Sequence, residues 1–235
     1  MDVCWLIIQC CSINKCVIEF IIIQPIRNEV NQTMSPFDDE KEFDQQEYKG
    51  INFQNIRLAQ KTYTSCVFKK CSFREANFTN CVFQDCKFQN SDLSMIILKE
   101  CTFKNVVFEN SQLVGINWMD TNLTEKKLIF IKPVDFIECV LNHSTFMGCN
   151  LKNAKMTRCI ARDVSFEEAD LSRADCTNTE FTDSRFIHTN LTETNFAGAR
   201  NYSIAANSNT LHKTIFTLPD AMSLLDGLDI ILKDQ

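Results

Sequence analysis

The chain has 235 residues, of which 45% are apolar and 23% charged, and its formal net charge is -6. This composition excludes an intrinsically disordered chain, which would carry fewer apolar residues. The acidic balance argues against a general affinity for nucleic acid, because phosphate neutralisation needs an excess of Lys and Arg. The 19 Phe and 13 Cys, beside 2 Trp and 3 Tyr, favour a regular interior with one recurring site for Phe and another for a small side chain.

The N-terminal segment, residues 1–47, lies outside the repeat that follows. Its apolar runs, 5–8 and 17–23, are shorter than the roughly 18 residues of a membrane span. An acidic second residue and the lack of a small-residue cleavage site also disfavour a secretory signal. We therefore expect a cytoplasmic protein with no membrane partner.

Two interpretations of the first 33 residues stay open. Met34 precedes an acidic stretch and is a candidate natural start, which would make residues 1–33 an upstream extension. Alternatively, these residues form a small interaction or acylated segment that uses Cys10 and Cys11. The mass of the endogenous N-terminus distinguishes the two interpretations.

A large apolar residue recurs at every fifth position of the central region, and a small residue recurs two positions before it. The large column contains Phe53, Leu58, Tyr63, Phe68, Phe73, Phe78, Phe83, Phe88, Leu93, Leu98, Phe103, Phe108, Leu113, Trp118, Leu123 and Leu128, and resumes after a slip as Phe136, Leu141, Phe146, Leu151, Met156, Ala161, Phe166, Leu171, Cys176, Phe181, Phe186, Leu191 and Phe196. The small column holds mainly Cys, Ala, Ser and Val, with Lys61 and Lys126 as breaks. A period of five matches neither an α-helix nor a flat strand. It predicts a three-residue strand followed by a corner, repeated as a coil that buries both columns and stacks its turns about 4.8 Å apart.

This pattern closely resembles the pentapeptide-repeat family, whose unit is commonly written A-(D/N)-L-x-x. Clear instances start at Ala76, Ser91, Ala169 and Thr189, each followed by Asn or Asp and then a large residue. The resemblance implies an all-β fold, a right-handed quadrilateral parallel β-helix with four units per turn and a short C-terminal helix. Twenty-nine units imply about seven turns and a rod roughly 35 Å long. We expect the repeat to cover 48–200, with an interruption near 129–135, and residues 201–235 to form a cap or dimerisation segment.

The cysteines of the small column have two readings. The functional interpretation is a metal cluster or a disulfide ladder. Spacings of five argue against a zinc site, because they lack its C-x2-C pairs. Stacked Cys pairs one turn apart would also be farther apart than a relaxed disulfide prefers. We therefore interpret these side chains as small buried hydrophobes and expect neither a metal nor another cofactor. The residues are Cys66, Cys71, Cys81, Cys86, Cys101, Cys139, Cys149 and Cys159, with Cys176 in a large-residue position.

Two parts of the central region are candidate partner-binding surfaces. Between residues 163 and 183, seven acidic side chains occur against one basic residue, Arg173, and a strip of one sign would attract a basic groove. The acidic set is Asp163, Glu167, Glu168, Asp170, Asp175, Glu180 and Asp183. The slip is the second candidate, because loops that project from a rigid scaffold often bind partners; its candidate residues are Lys126, Lys127, Phe130 and Lys132. The alternative for the first is a set of ordinary solvated corners. For the second, the step from Leu128 to Phe136 is eight residues, three more than one repeat, and the alternative is a bulge that lets Ile129 or Phe130 refill the core.

The C-terminal segment is predicted to contain a short helix. Pro219 suits the first turn, Gly227 suits the end, and the apolar residues between them follow helical spacing. Such a helix would cover the open end of the coil or join two chains. The candidate cap or dimer residues are Leu218, Met222, Leu225 and Leu228.

The sequence gives little support for catalysis. It has no phosphate-binding loop, dinucleotide fingerprint, zinc-protease motif or nucleophile elbow. Its three histidines are far apart in sequence, and His143 and His188 fall on outward repeat positions. We therefore predict that the protein is not an enzyme.

The resemblance implies a protein partner. Quinolone-resistance members of the family, the Qnr type, mimic duplex DNA, which points to DNA gyrase or topoisomerase IV, to fluoroquinolone protection and to a head-to-head dimer. Block 51–128, with 10 basic and 7 acidic residues, is not acidic, and this weakens the mimicry reading. The alternative is a generic β-helical scaffold or interaction protein with a different partner.

Overall fold

The computed structural model describes residues 40–124, 132, 134–225, 228 and 230, together with the backbone of 17–19. It is built from short parallel strands and two 3-10 helices, Asn122–Thr124 and Asp220–Leu225. The strands are β1 Val17–Glu19, β2 Glu42–Asp44, β3 Glu47–Lys49, β4 Arg57–Ala59, β5 Thr62–Thr64, β6 Val67–Lys69, β7 Asn77–Thr79, β8 Val82–Gln84, β9 Lys87–Gln89, β10 Ile97–Lys99, β11 Thr102–Lys104, β12 Val106–Glu109, β13 Val134–Ile137, β14 Met156–Thr157, β15 Arg185–Phe186 and β16 Ser203–Ile204.

The strands wind into a four-faced parallel solenoid of about eight turns, which confirms the predicted fold class. Face A contains β2, β5, β8 and β11, and face B contains β1, β3, β6, β9, β12, β13 and β14. Face C is joined by isolated bridges that begin at Asn52–Ser72, and face D contains β4, β7 and β10 and continues through bridges to β15 and β16. In most turns a residue pairs with the residue twenty positions later, as Phe68 does with Phe88.

The interior of the solenoid is filled by the large column, as the period of five predicts. All of its described members are buried. Rings in successive turns stack face to face, with centroids 4.6 Å apart for Phe68–Phe88 and 5.0 Å for Phe88–Phe108. Rings on adjoining faces meet edge to face, as Phe73 meets Phe88 at 5.8 Å. Each such pair contributes about 0.5–1.5 kcal/mol beyond its area burial, so the Phe content stabilises the stack directly.

The corners between faces use the left-handed backbone region. Almost every described repeat ends in a residue with positive φ, for example Asn80 (φ 54), Asn90 (φ 51) and Met95 (φ 59). None of these non-glycine residues is Val, Ile or Thr, because a β-branched side chain tolerates this region poorly. The polar fifth position of the repeat therefore has a steric cause as well as a solvent-facing one.

The small column does more than fill space, which refines the interpretation of its cysteines as hydrophobes. The Cys66 thiol donates to the Phe43 carbonyl at 3.4 Å, and the Cys86 thiol donates to the Tyr63 carbonyl at 3.3 Å. Ser91 occupies the same kind of position, and its hydroxyl donates to the Phe68 carbonyl at 3.4 Å. Cys and Ser share this site because both are small and carry a donor.

The slip is larger than the sequence count suggests. Phe136, not Leu128, stacks on Phe108, with ring centroids 5.5 Å apart. The register between these turns is therefore 28 residues instead of 20, so eight residues are inserted and not three. Leu128 keeps the period of five in sequence but lies outside the described residues.

Both ends of the solenoid extend beyond the predicted limits of 48 and 200. At the N-terminal end, Phe43 already stacks on Tyr63 with centroids 4.9 Å apart, and β1, within the predicted extension, pairs with β3. At the C-terminal end, the coil continues to Phe216, which stacks on Phe196 at 5.3 Å. These extra units account for about eight turns in place of seven.

The C-terminal helix differs from the prediction in type and length. It is a six-residue 3-10 helix, Asp220–Leu225, without a buried residue. Six residues allow few i→i+4 hydrogen bonds, so the tighter i→i+3 pattern is favoured. The Met222 amide accordingly donates to the Pro219 carbonyl at 2.9 Å.

Candidate partner-binding surface

The acidic set predicted from sequence does not form one strip. Register places Asp170 on face A and Asp175 on face B, while Glu167 and Glu168 lie on face D. Glu180 lies on face C, and Asp163 and Asp183 stack at the corner between faces C and D. Twenty-one consecutive residues travel once around the rod, so residues close in sequence are spread over its whole circumference.

Arginines from neighbouring turns neutralise much of this acidic set. The Glu180 carboxylate accepts hydrogen bonds from Arg162 at 2.9 Å and from Arg200 at 3.3 Å. Arg185 bridges two other members, Glu167 at 2.9 Å and Asp163 at 3.4 Å. The sequence window from 163 to 183 missed these arginines, although offsets of 18 or 20 residues would have revealed them.

The surroundings of Glu180 lower the pKa of its side chain. Only 10% of the side chain is exposed, and Thr182 adds a hydrogen bond at 2.9 Å. The hydrogen bond from Arg162 is the main cause that holds the pKa of Glu180 below its ordinary value of 4.5, and the bonds from Thr182 and Arg200 add to it. The carboxylate is thus held by the fold, and we assign it a role in joining turns on face C.

Of the four predicted residues at the insertion, Lys132 is described and Lys126, Lys127 and Phe130 lie outside the described residues. Lys132 forms an ion pair with the largely buried Asp135, and its carbonyl accepts a hydrogen bond from the Asn105 amide at 2.7 Å. Asp135 also accepts a hydrogen bond from the Lys155 amide at 2.7 Å. Lys132 therefore anchors the end of the insertion to face B.

The predicted cap or dimer residues lie at the C-terminal end of the rod. Leu218, Met222 and Leu228 are exposed, and Leu225 is half-buried. Contact with the rod comes instead from Leu224, which packs against the core, and from Ser223, whose hydroxyl donates to the Tyr202 carbonyl at 3.2 Å. Sequence spacing identified this end but not the two residues that attach it.

Reactive groups are dispersed or buried. The nine described cysteines are free thiols, and burial raises the pKa of Cys149 to about 12 and that of Cys176 further. The histidines, His143, His188 and His212, are exposed, and the His143 ring lies 3.0 Å from Asp163. Among the described residues no cluster of His, Cys, Asp and Glu could hold a metal ion. The helices described are also too short to cross a bilayer.

The repeat region of this chain matches a known protein family. A family model described as "Pentapeptide repeat region" matches residues 61–130 and 129–196. This chain belongs to the pentapeptide-repeat family. The match is to a repeat region and to no catalytic family. A comparison with curated protein sequences finds no match.

Solved structures share the fold at low identity. A trypsin-treated form of QnrB1, described as a plasmid-mediated fluoroquinolone resistance protein, aligns with a TM-score of 0.53 and 14% identity, covering 82% of this chain and 100% of that one. HetL, a pentapeptide-repeat protein involved in heterocyst differentiation regulation in the cyanobacterium Nostoc, has 12% identity and a TM-score of 0.30 over 74% of this chain and 84% of its own. A pentapeptide-repeat protein of the Arabidopsis thaliana thylakoid lumen has 18% identity and a TM-score of 0.23 over 60% and 68%. The comparison with QnrB1 shows a common fold.

Proposed function

We propose that this pentapeptide-repeat protein is a non-catalytic rod that binds a protein partner through its outward side chains. The observation that carries the proposal is the division of the repeat: the large and small columns are buried, whereas most of the remaining positions face solvent and differ from one repeat to the next. A surface whose side chains can change without disturbing the core is suited to recognition. The buried, free thiols are in keeping with a reducing cytoplasm, where we place the protein.

DNA gyrase or topoisomerase IV is the partner that we propose to test first, as the target of partial DNA mimicry and fluoroquinolone protection. The fold shared with QnrB1 over 82% of the chain supports this choice. The arginines around Glu180, Glu167 and Asp163 argue against mimicry by charge alone. A different protein partner is therefore the second candidate, and the paired carboxylates favour it.

A supercoiling assay with purified gyrase, plasmid DNA and ciprofloxacin tests the first candidate. Restored supercoiling in the presence of the protein, together with capture of gyrase by the immobilised chain, is the expected result. Asp163→Asn with Asp183→Asn, at the corner between faces C and D, should weaken the effect, whereas Glu42→Gln with Asp44→Asn on face A removes as much charge and should not. No effect on inhibition, on supercoiling or in the pull-down would exclude gyrase.

The C-terminal segment is part of the same proposal. We propose that residues after 216 cover the end of the rod and that the exposed Leu218 and Met222 join two chains in a homodimer. Their exposure of 77% and 46%, at an end where the solenoid stops, supports a role in association.

A further inference from the structure

The middle of the rod carries three large apolar side chains at outward positions. Met95 lies at the corner between faces C and D, and Ile97 and Met119 lie on face D in two successive turns. Their exposed fractions are 52%, 52% and 40%. We call these three residues the methionine patch. The inward core does not need them, because Ile96, Leu98 and Trp118 fill the buried positions beside them.

The positions of Met95 and Ile97 are polar or small in the neighbouring turns, whereas the column of Met119 also holds Met147 and Ile187. Ile97 is preceded one turn earlier by Asn77 and followed one turn later by Asn117. The corner column that holds Met95 has Glu75 before it and Gly115 after it. Large apolar residues at these sites are thus a departure from the repeat, and the fold does not require it.

Gly115 leaves room for the Met95 side chain to extend into the next turn. A Cβ atom added to Gly115 would lie 2.4 Å from the Met95 sulfur, so the Met95 side chain occupies the space that another residue would fill. The Met95 thioether consequently lies along the rod toward the turn that contains Met119. Met147, half-buried, follows Met119 in the next turn of the same column and extends the apolar surface.

Carboxylates border the methionine patch at the far edge of face D. Glu100 and Asp120 are one turn apart, since the Glu100 amide donates to the Asp120 carbonyl at 2.7 Å. Within the part of the chain that the structure describes, neither carboxylate joins an ion pair, in contrast to Glu167 and Glu180. Lys99 also lies on this face, so the border carries two negative charges against one positive charge.

We propose that the methionine patch docks a short segment of a protein partner that presents large apolar side chains next to a Lys or Arg. The inference rests on the proposed protein-binding function and names a surface for it. Three half-exposed side chains offer a few hundred Å², well below the roughly 800 Å² per partner of a stable protein–protein interface. This area fits a few anchoring side chains of a peptide and not a second copy of the rod. Thioethers adapt to differently shaped apolar side chains, and the two carboxylates select a basic neighbour.

Methyl NMR of the full-length protein, with labelled methionines, tests the proposal using defined peptides. The probe is the peptide GSKLFLKSG, and the control peptides are GSELFLESG, with reversed charge, and GSKSGSKSG, without apolar anchors. The chain supplies its own control methyls, because Met156 is buried in the core and Met222 is exposed at the C-terminal end. The probe should shift the Met95 and Met119 signals in a saturable manner, leave Met156 and Met222 in place, and outcompete both control peptides.

Variants taken from neighbouring turns test the same surface without endangering the fold. Met95→Asn, Ile97→Asn and Met119→Thr each introduce a residue type that the repeat tolerates at corners or on face D. The triple variant should lose at least tenfold in probe affinity, and Ile187→Thr, an exposed apolar residue on face D three turns from Met119, should lose none. Equal affinity of the triple variant and the parent, or equal shifts at Met222 and Met119, would overturn the proposal. The gyrase pull-down is scored separately, so failure of the patch and failure of the protein-binding function are distinguishable.

Discussion

Replacing Phe88 by alanine tests the central geometry of this protein. Phe88 is 1% exposed and contacts four rings: Phe68 and Phe108 stack on it, and Phe73 and Phe83 meet it edge to face with centroids 5.8 and 5.7 Å away. Truncating a buried Phe costs about 3–5 kcal/mol. Because each turn contacts only its neighbours, the cavity removes contacts from three successive turns, and we expect a cost in the upper half of that range.

Two variants of the same strand provide matched controls. Phe88→Leu should cost less than about 1.5 kcal/mol, because leucine preserves most of the buried volume and already fills equivalent positions such as Leu93 and Leu98. Lys87→Ala changes the adjacent exposed side chain and should stay within about 0.5 kcal/mol. Urea unfolding followed by far-ultraviolet circular dichroism measures all three free energies of unfolding. Equal effects of Phe88→Ala and Lys87→Ala would refute the inward placement of the large column.

Three further predictions concern the charges, the small column and the C-terminal end. The folded pKa of Glu180 lies below 4.5, so the contribution of its carboxylate to stability is present above that pH and is lost as the pH falls through the folded pKa. Glu180→Gln should therefore lower the melting temperature at pH 7 and have no such effect near pH 2. An effect that acid leaves unchanged would contradict the ion-pair explanation. Cys86→Ser should change the free energy of unfolding by less than about 1 kcal/mol, because serine supplies the same hydrogen-bond donor. Cys86→Leu should cost about 1–3 kcal/mol, because leucine overpacks the site. Urea unfolding measures both free energies, and equal costs would contradict the donor site. Sedimentation velocity should show a dimer that Leu218→Ser with Met222→Ser converts to a monomer, and a parent chain that sediments as a monomer would rule out the dimer and leave only a cap.

The inward residues could be predicted from sequence because the relevant information is local. Side-chain size recurs every five residues, and burial of Phe68, Trp118 and Phe196 follows from that recurrence alone. The insertion could not be counted in this way, because Leu128 ends the first frame of five and Phe136 begins the second frame eight residues later. Which of them stacks on Phe108 depends on contacts across turns, and only the register settles it.

The ends of the rod were also less predictable than its middle. Phe43 and Phe216 belong to the stack, but their neighbours in sequence break the pattern of small and large residues. At an end, a turn has a neighbour on one side only, so the constraint on each side chain is weaker and the repeat is less strict. Size alone also concealed the hydrogen bond that Cys66 donates to the Phe43 carbonyl, which is visible only when the two turns are placed together.

Residues that are close together on the surface of this rod are separated by one residue along a strand or by about twenty residues along the axis. Asp163 and Arg185 are 22 positions apart and yet 3.4 Å from each other, so a linear window assigns a net charge that the surface does not have. Conversely, Met95 and Met119 look unrelated in sequence, yet they lie in successive turns at the two edges of face D. The same register that neutralises the predicted acidic strip thus assembles the methionine patch, and both results follow from a core that fixes the turn at twenty residues.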